Sequence, residues 1–129
     1  MHGRSAVRPG KVQSMKIRIA RTGGWLATKA AMAQSFRQRI VGLLGRSELP
    51  AGEALVFPSC RSIHTIGMRF AIDVIYLGDS GKVVAVEAAC QPGRILPPVW
   101  EAHAVVEMCQ GAAVAAGLAT GDQLEVVDG

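Results

Sequence analysis

Between Cys60 and Leu77 the chain gathers the side chains best suited to chemistry. Cys60, His64 and Met68 recur at intervals of four, Arg61 and Arg69 lie among them, and Thr65 adds a hydroxyl. Asp73 interrupts the apolar run Ile72-Asp73-Val74-Ile75-Tyr76-Leu77. Cys, His and Met are soft ligands, the set used by blue-copper sites. Extended backbone would spread four residues over about 13 Å, too far for two bonds of ~2 Å to one ion. A metal on Cys60, His64 and Met68 therefore requires a loop or a helical turn, and Ile63, Thr65, Ile66 and Gly67 disfavour helix. A blue-copper site also needs a second histidine, and outside the first residues that leaves His103. The plainer reading packs Cys60 and Met68 in or beside the core. A thiol nucleophile, Cys60 with His64 or His103 as its base, is the catalytic alternative, and either it or a bound metal would make a small hydrolase. No P-loop, dinucleotide-binding GxGxxG, HExxH or GxSxG pattern is present.

Asp73 is the sharper signal. A carboxylate in an inner strand is costly without partners. Arg61, His64, Arg69 and Arg94 are the candidates. One reading is a buried pair that holds register. The other is a polar groove in which Arg61, His64, Thr65, Met68, Asp73 and Arg94 converge on an anionic or peptide ligand, the arginines supplying paired donors. The expected function is that of a non-enzymatic binding or accessory domain, with a protein or an anionic small molecule as partner. No cofactor is called for.

Short strands must position this stretch. Met15 to Ala20 alternates apolar and basic residues, as a half-buried strand does. Thr22-Gly23-Gly24 is a turn, and Trp25 to Ala31 a second short strand. Ser35 is a helix N-cap, followed by Phe36, Ile40, Leu43 and Leu44 on one helical face, with Gly45 as the closing residue. Ala54 to Phe57 is a strand stopped by Pro58. Ile72 to Leu77 is apolar on both faces apart from Asp73, as expected of an inner strand. Gly78-Asp79-Ser80-Gly81 turns it into Lys82 to Ala88. Pro92, Pro97 and Pro98 confine Gln91 to Trp100 to an edge strand or a loop. His103 to Cys109 is a strand, Ala112 to Ala116 a short helix closed by Gly117, and Gln123 to Val127 the last strand. The result is a mainly β (α+β) domain, barrel- or sandwich-like, with one three-turn helix and a second short one.

The 129 residues make one domain, 15–129, behind a basic leader at 1–14, and Met15 reads as a possible start. A domain of this size folds without metal or disulfide. No apolar run reaches the roughly 18 residues of a membrane span, and the leader has no apolar centre to serve as a secretory signal. The expected compartment is the cytoplasm, where Cys60, Cys90 and Cys109 stay reduced. Residues 1–47 carry ten Lys/Arg and no acid, whereas 48–129 carry four against ten acids. That asymmetry raises a second alternative, nucleic-acid binding through the basic first third. Two Trp, three Phe and one Tyr are few for a stacking platform.

Several segments together resemble domain-of-unknown-function family 192. They are Ala33-x-Ser35…Arg39-x-x-Gly42-Leu43-Leu44-Gly45-Arg46, Ala54 to Pro58, Ser62-Ile63-His64-Thr65-Ile66-Gly67-Met68, and Ile72 to Leu77 with Gly81-Lys82-Val83-Val84. Glu107…Gly111 and Gly117-Leu118-x-x-Gly121-Asp122 complete the set. The resemblance implies a compact β-rich domain and brings no activity, substrate or catalytic residue with it. Many similar sequences look exported.

Overall fold

The computed structural model describes residues 15–33 and 48–128, and the helix expected at 35–45 lies outside the described residues. Seven strands form one sheet: β1 (Met15–Ile19), β2 (Trp25–Met32), β3 (Glu53–Pro58), β4 (Ile72–Leu77), β5 (Val83–Cys90), β6 (Ala104–Cys109) and β7 (Leu124–Asp128). A four-residue helix, α1 (Ala112–Ala115), lies between β6 and β7. These elements coincide with the apolar runs of the sequence to within a residue or two. Gln91 to Trp100 resolves as loop, because its prolines withhold the donors a strand needs.

The strand order is β5-β4-β6-β3-β2-β1-β7. Only β2 and β3 pair in parallel. The sheet curls into a half-barrel, and its two ends meet at one corner. There Lys82 bridges Gln123, while Val83 N–H donates to the Asp122 carbonyl and Gly121 N–H to the Val83 carbonyl, each at 2.8 Å. Gly81 makes this approach possible: its φ is +87°, and a Cβ there would stand 3.1 Å from the Leu124 carbonyl. Arg21, from the β1–β2 turn, fastens the same corner. Its Nε and Nη2 donate to the two Asp122 oxygens at 2.6 and 2.9 Å, and Nη2 also reaches the Gly117 carbonyl.

Side-chain alternation gives the sheet two apolar layers. Met15, Ile17, Ile19, Val56, Ile75 and Met108 belong to the layer within the curl. Phe57, Ile72, Val74, Tyr76 and Val105 face the other way, under a cover of loop residues that includes Ile63, Met68 and Leu96. β4 therefore reads as apolar on both faces because both faces are covered.

Candidate functional site

Two loops cover the outer face of β4 and β6, and they pair with each other. Residues 61–65 run antiparallel to 94–99. Val99 N–H donates to the Arg61 carbonyl at 2.9 Å, Leu96 N–H to Ile63 at 3.1 Å, and Thr65 N–H to Arg94 at 2.8 Å. His64 bridges Ile95 between them. The ribbon is anchored from below by Ile63 and Leu96, whose side chains enter the outer layer.

Thr65 is the ribbon's polar pin. Its hydroxyl donates to the Gln91 carbonyl at 2.7 Å and accepts from Arg94 N–H at 2.9 Å, fully buried. Its carbonyl takes Gly93 N–H and Met68 N–H. The second contact closes a turn through Gly67, whose φ of +88° suits glycine. The turn carries Met68 down into the outer layer. His64 is half-exposed, and its Nδ1 accepts from Ile66 N–H at 3.3 Å. Arg61 is exposed and spends one N–H on the Trp100 carbonyl. Arg94 is exposed at the opposite end of the ribbon.

Five of the six residues expected to share a groove thus belong to the ribbon and its turn. Asp73 does not. It follows the same alternation as Ile75 and points into the curl, whereas Ile72 and Val74 face the ribbon. The side-chain partners expected for it are replaced by backbone. Oδ1 accepts from Ala89 N–H and Oδ2 from Ala113 N–H, both at 2.9 Å. The physical reason lies in the local backbone. Between Ile72↔Cys90 and Val74↔Glu87 the register shifts, and Ala89 takes φ +52°. The bulge frees its N–H from the ladder. Ala113 stands in the first turn of α1, whose N-cap Gly111 has no side chain to satisfy the helix's open donors. Asp73 does so from another strand. Among the described residues no arginine pairs with it.

Glu107 was not anticipated. It is fully buried on β6, opposite Val74 and Leu55, and so lies on the ribbon side of the sheet. The signal was available: it is the lone acid in an apolar strand, as Asp73 is. Tyr76 lies on the same side, its pKa pushed up to about 12 by burial first, with Glu87, Cys90, Cys60 and Glu107 adding to it. It therefore stays a neutral phenol at any physiological pH. Burial likewise raises the Cys90 and Cys109 thiols, which keeps them protonated and poorly nucleophilic. Cys60 donates its thiol to the Ser62 carbonyl at 3.1 Å. Among the described residues no three His, Cys, Asp or Glu side chains are grouped to hold a metal ion.

Sequence reading also missed the ribbon's outer surface. Ile95 and Trp100 are each 73% exposed and Ile66 is 51% exposed. Alternation explains the two isoleucines, since Thr65 and Leu96 take the inward positions beside them. Isolated aliphatic residues in a loop give no sequence signal for this.

Half-barrel and ribbon together define a small β domain with a paired-loop ribbon on its outer face. Residues 16–126 match the model of DUF192, Uncharacterized ACR, and the chain belongs to that family. No curated protein matches. Among solved structures, a "putative transcription regulator" from Sinorhizobium meliloti 1021 is similar at a TM-score of 0.74 and 18% identity, over 90% of this chain and 94% of that one. A protein of unknown function from Novosphingobium aromaticivorans DSM 12444 is similar at 0.73 and 23% identity, over 93% and 91%. At these identities the likeness is one of fold. Among the described residues no helix is long and apolar enough to cross a membrane.

Proposed function

We propose that this chain is a non-enzymatic binding or accessory domain whose contact surface is the ribbon, with Arg61, His64 and Arg94 meeting an anionic or peptide ligand. Thr65 and Met68 are buried and act by holding the ribbon in shape. Asp73 takes no direct part. The observation that carries the reading is the exposure of Ile66, Ile95 and Trp100 beside Arg61 and Arg94. Large apolar residues exposed to water next to arginines have the composition of interface hot spots.

The test is affinity capture from an extract with the wild type, His64→Ala and Arg61→Gln/Arg94→Gln. A partner retained by the wild type and lost from both variants, with circular dichroism unchanged, supports the reading. Identical capture by all three ends it.

The second reading, nucleic-acid binding through the basic first third, rests mostly on cations in 1–14 and 34–47, which lie outside the described residues; of the described ones, Lys16 and Arg18 lie 5.3 and 5.9 Å from the Trp25 ring on β1 and β2. Those cations already occupy the ring, and Arg18 is paired with Glu125 at 2.9 Å. The ribbon is the better-supported surface.

A further inference from the structure

The ribbon and its flanking loops concentrate positive charge. Residues 60–70 and 91–103 carry Arg61, Arg69 and Arg94 against Glu101 alone. The rest of the sequence carries eleven Lys/Arg against nine acids over more than four times as many residues. The ribbon region is thus the more densely basic part. All three of its cations are arginine. Lysine is depleted and arginine enriched at protein–protein interfaces, because the guanidinium forms a planar fork that pairs with a carboxylate through two bonds.

Its geometry points the same way. The exposed hydrophobes are knobs and not the walls of a hole. Ile95 and His64 are bridge partners on one face, Ile66 is held to His64 through its own N–H, and Arg61 donates to the Trp100 carbonyl. Ile66 and Trp100 are thus each tied to a polar or basic neighbour by a defined bond, and Ile95 is held opposite His64 by the bonds of the residues on either side. Proline at 92, 97 and 98 fixes φ at three places on one side of the ribbon, which reduces the backbone entropy lost on docking.

Resting on the reading of the ribbon as a contact surface, we infer that its partner is a segment of another protein in which carboxylates flank a large apolar side chain. The carboxylates pair with Arg61 and Arg94, and the apolar group packs between Ile95 and Trp100. A free anion would use the arginines and leave the knobs wet. A nucleic acid would use the arginines and stack only on Trp100.

The experiment titrates the full chain with labelled synthetic peptides in which Asp or Glu flank Phe or Leu. Matched probes are peptides with Asn and Gln in place of the acids, phosphatidylglycerol vesicles, oligothymidylate and inorganic phosphate. Binding of the acidic apolar peptides is expected, weakening as salt screens the pairs. It should fall roughly tenfold or more in Trp100→Ala and in Arg61→Gln/Arg94→Gln. Ile95→Ser serves as the variant safest for folding, since its side chain is 73% exposed. It should weaken the peptides and leave phosphate unaffected. Binding of vesicles, oligothymidylate or phosphate through Arg61 and Arg94, without the peptides, overturns this inference and leaves the ribbon a contact surface. No binding of any probe, together with unchanged extract capture in the variants, overturns both.

Discussion

Asp73 and Ala89 form the junction on which one end of the half-barrel depends. The carboxylate holds one amide from the β5 bulge and one from the start of α1. Asp73→Ala leaves a buried donor at Ala113 and a part-buried one at Ala89 without acceptors and is expected to cost ~2–4 kcal/mol by urea denaturation. Asp73→Asn keeps one acceptor and turns an amide donor toward an N–H, so its loss should be of similar size. The ligand-binding role first expected for Asp73 makes a different forecast, that Asp73→Asn fails to bind at unchanged stability. Ala89 stands at φ +52°, where an L-residue is strained by roughly 1–2 kcal/mol. Glycine relieves that strain and adds roughly 0.5–1 kcal/mol of unfolded-state entropy. Ala89→Gly should therefore be neutral or stabilising by up to ~1 kcal/mol in the same measurement, unlike most substitutions in a strand. An alanine in a run of alanines announces none of this. Its backbone angle is set by the carboxylate across the ladder.

At the scale of elements, the closing corner and the ribbon are each held by a small set of contacts. Arg21 holds the Asp122 carboxyl down to about 2, aided by Ala119 N–H. An unfolded aspartate titrates near 3.9. The folded value is the lower one, so the contribution is fully present above about pH 4 and is lost as pH falls through about 2. Wild type and Arg21→Gln should therefore differ in melting temperature at pH 6 and converge toward pH 2. A gap that widens on acidification would contradict the assignment. In the ribbon, Leu96 is 3% exposed and anchors one strand of the pair. Leu96→Ala should cost ~2–4 kcal/mol and expose residues 91–100 to protease before the strands unfold. The elements themselves were largely legible, since strand alternation and the Gly/Pro breaks mark each β-strand. The pairing of 61–65 with 94–99 was not. It joins two loops some thirty residues apart through backbone bonds, which leave no side-chain pattern.

The whole molecule is a curled sheet whose ends touch through Lys82 and Gln123. Gly81→Ala sets a Cβ against the Leu124 carbonyl and forces an L-residue to φ +87°. It should lower stability by at least ~1 kcal/mol and speed amide exchange at Gly121 and Leu124, whose N–H groups close the corner. Exchange at β3 and β6, in the middle of the sheet, should be unaffected. Closure of this kind protects two sheet ends at one point while leaving the ribbon outside the curl.

Residue order alone determined the strands, the short helix, the mainly β class and the family, because these depend on local periodicity, on where glycine and proline interrupt it, and on motif spacing. It also marked Asp73 and the Cys60 to Met68 stretch as unusual. Which face of the sheet each residue occupies was decided by tertiary structure alone. A strand's alternation separates its two sides but does not say which side becomes the inside of a curl and which lies beneath a loop. That choice sent Asp73 inward to two backbone amides, placed Glu107 under the ribbon, and left Ile95 and Trp100 in water.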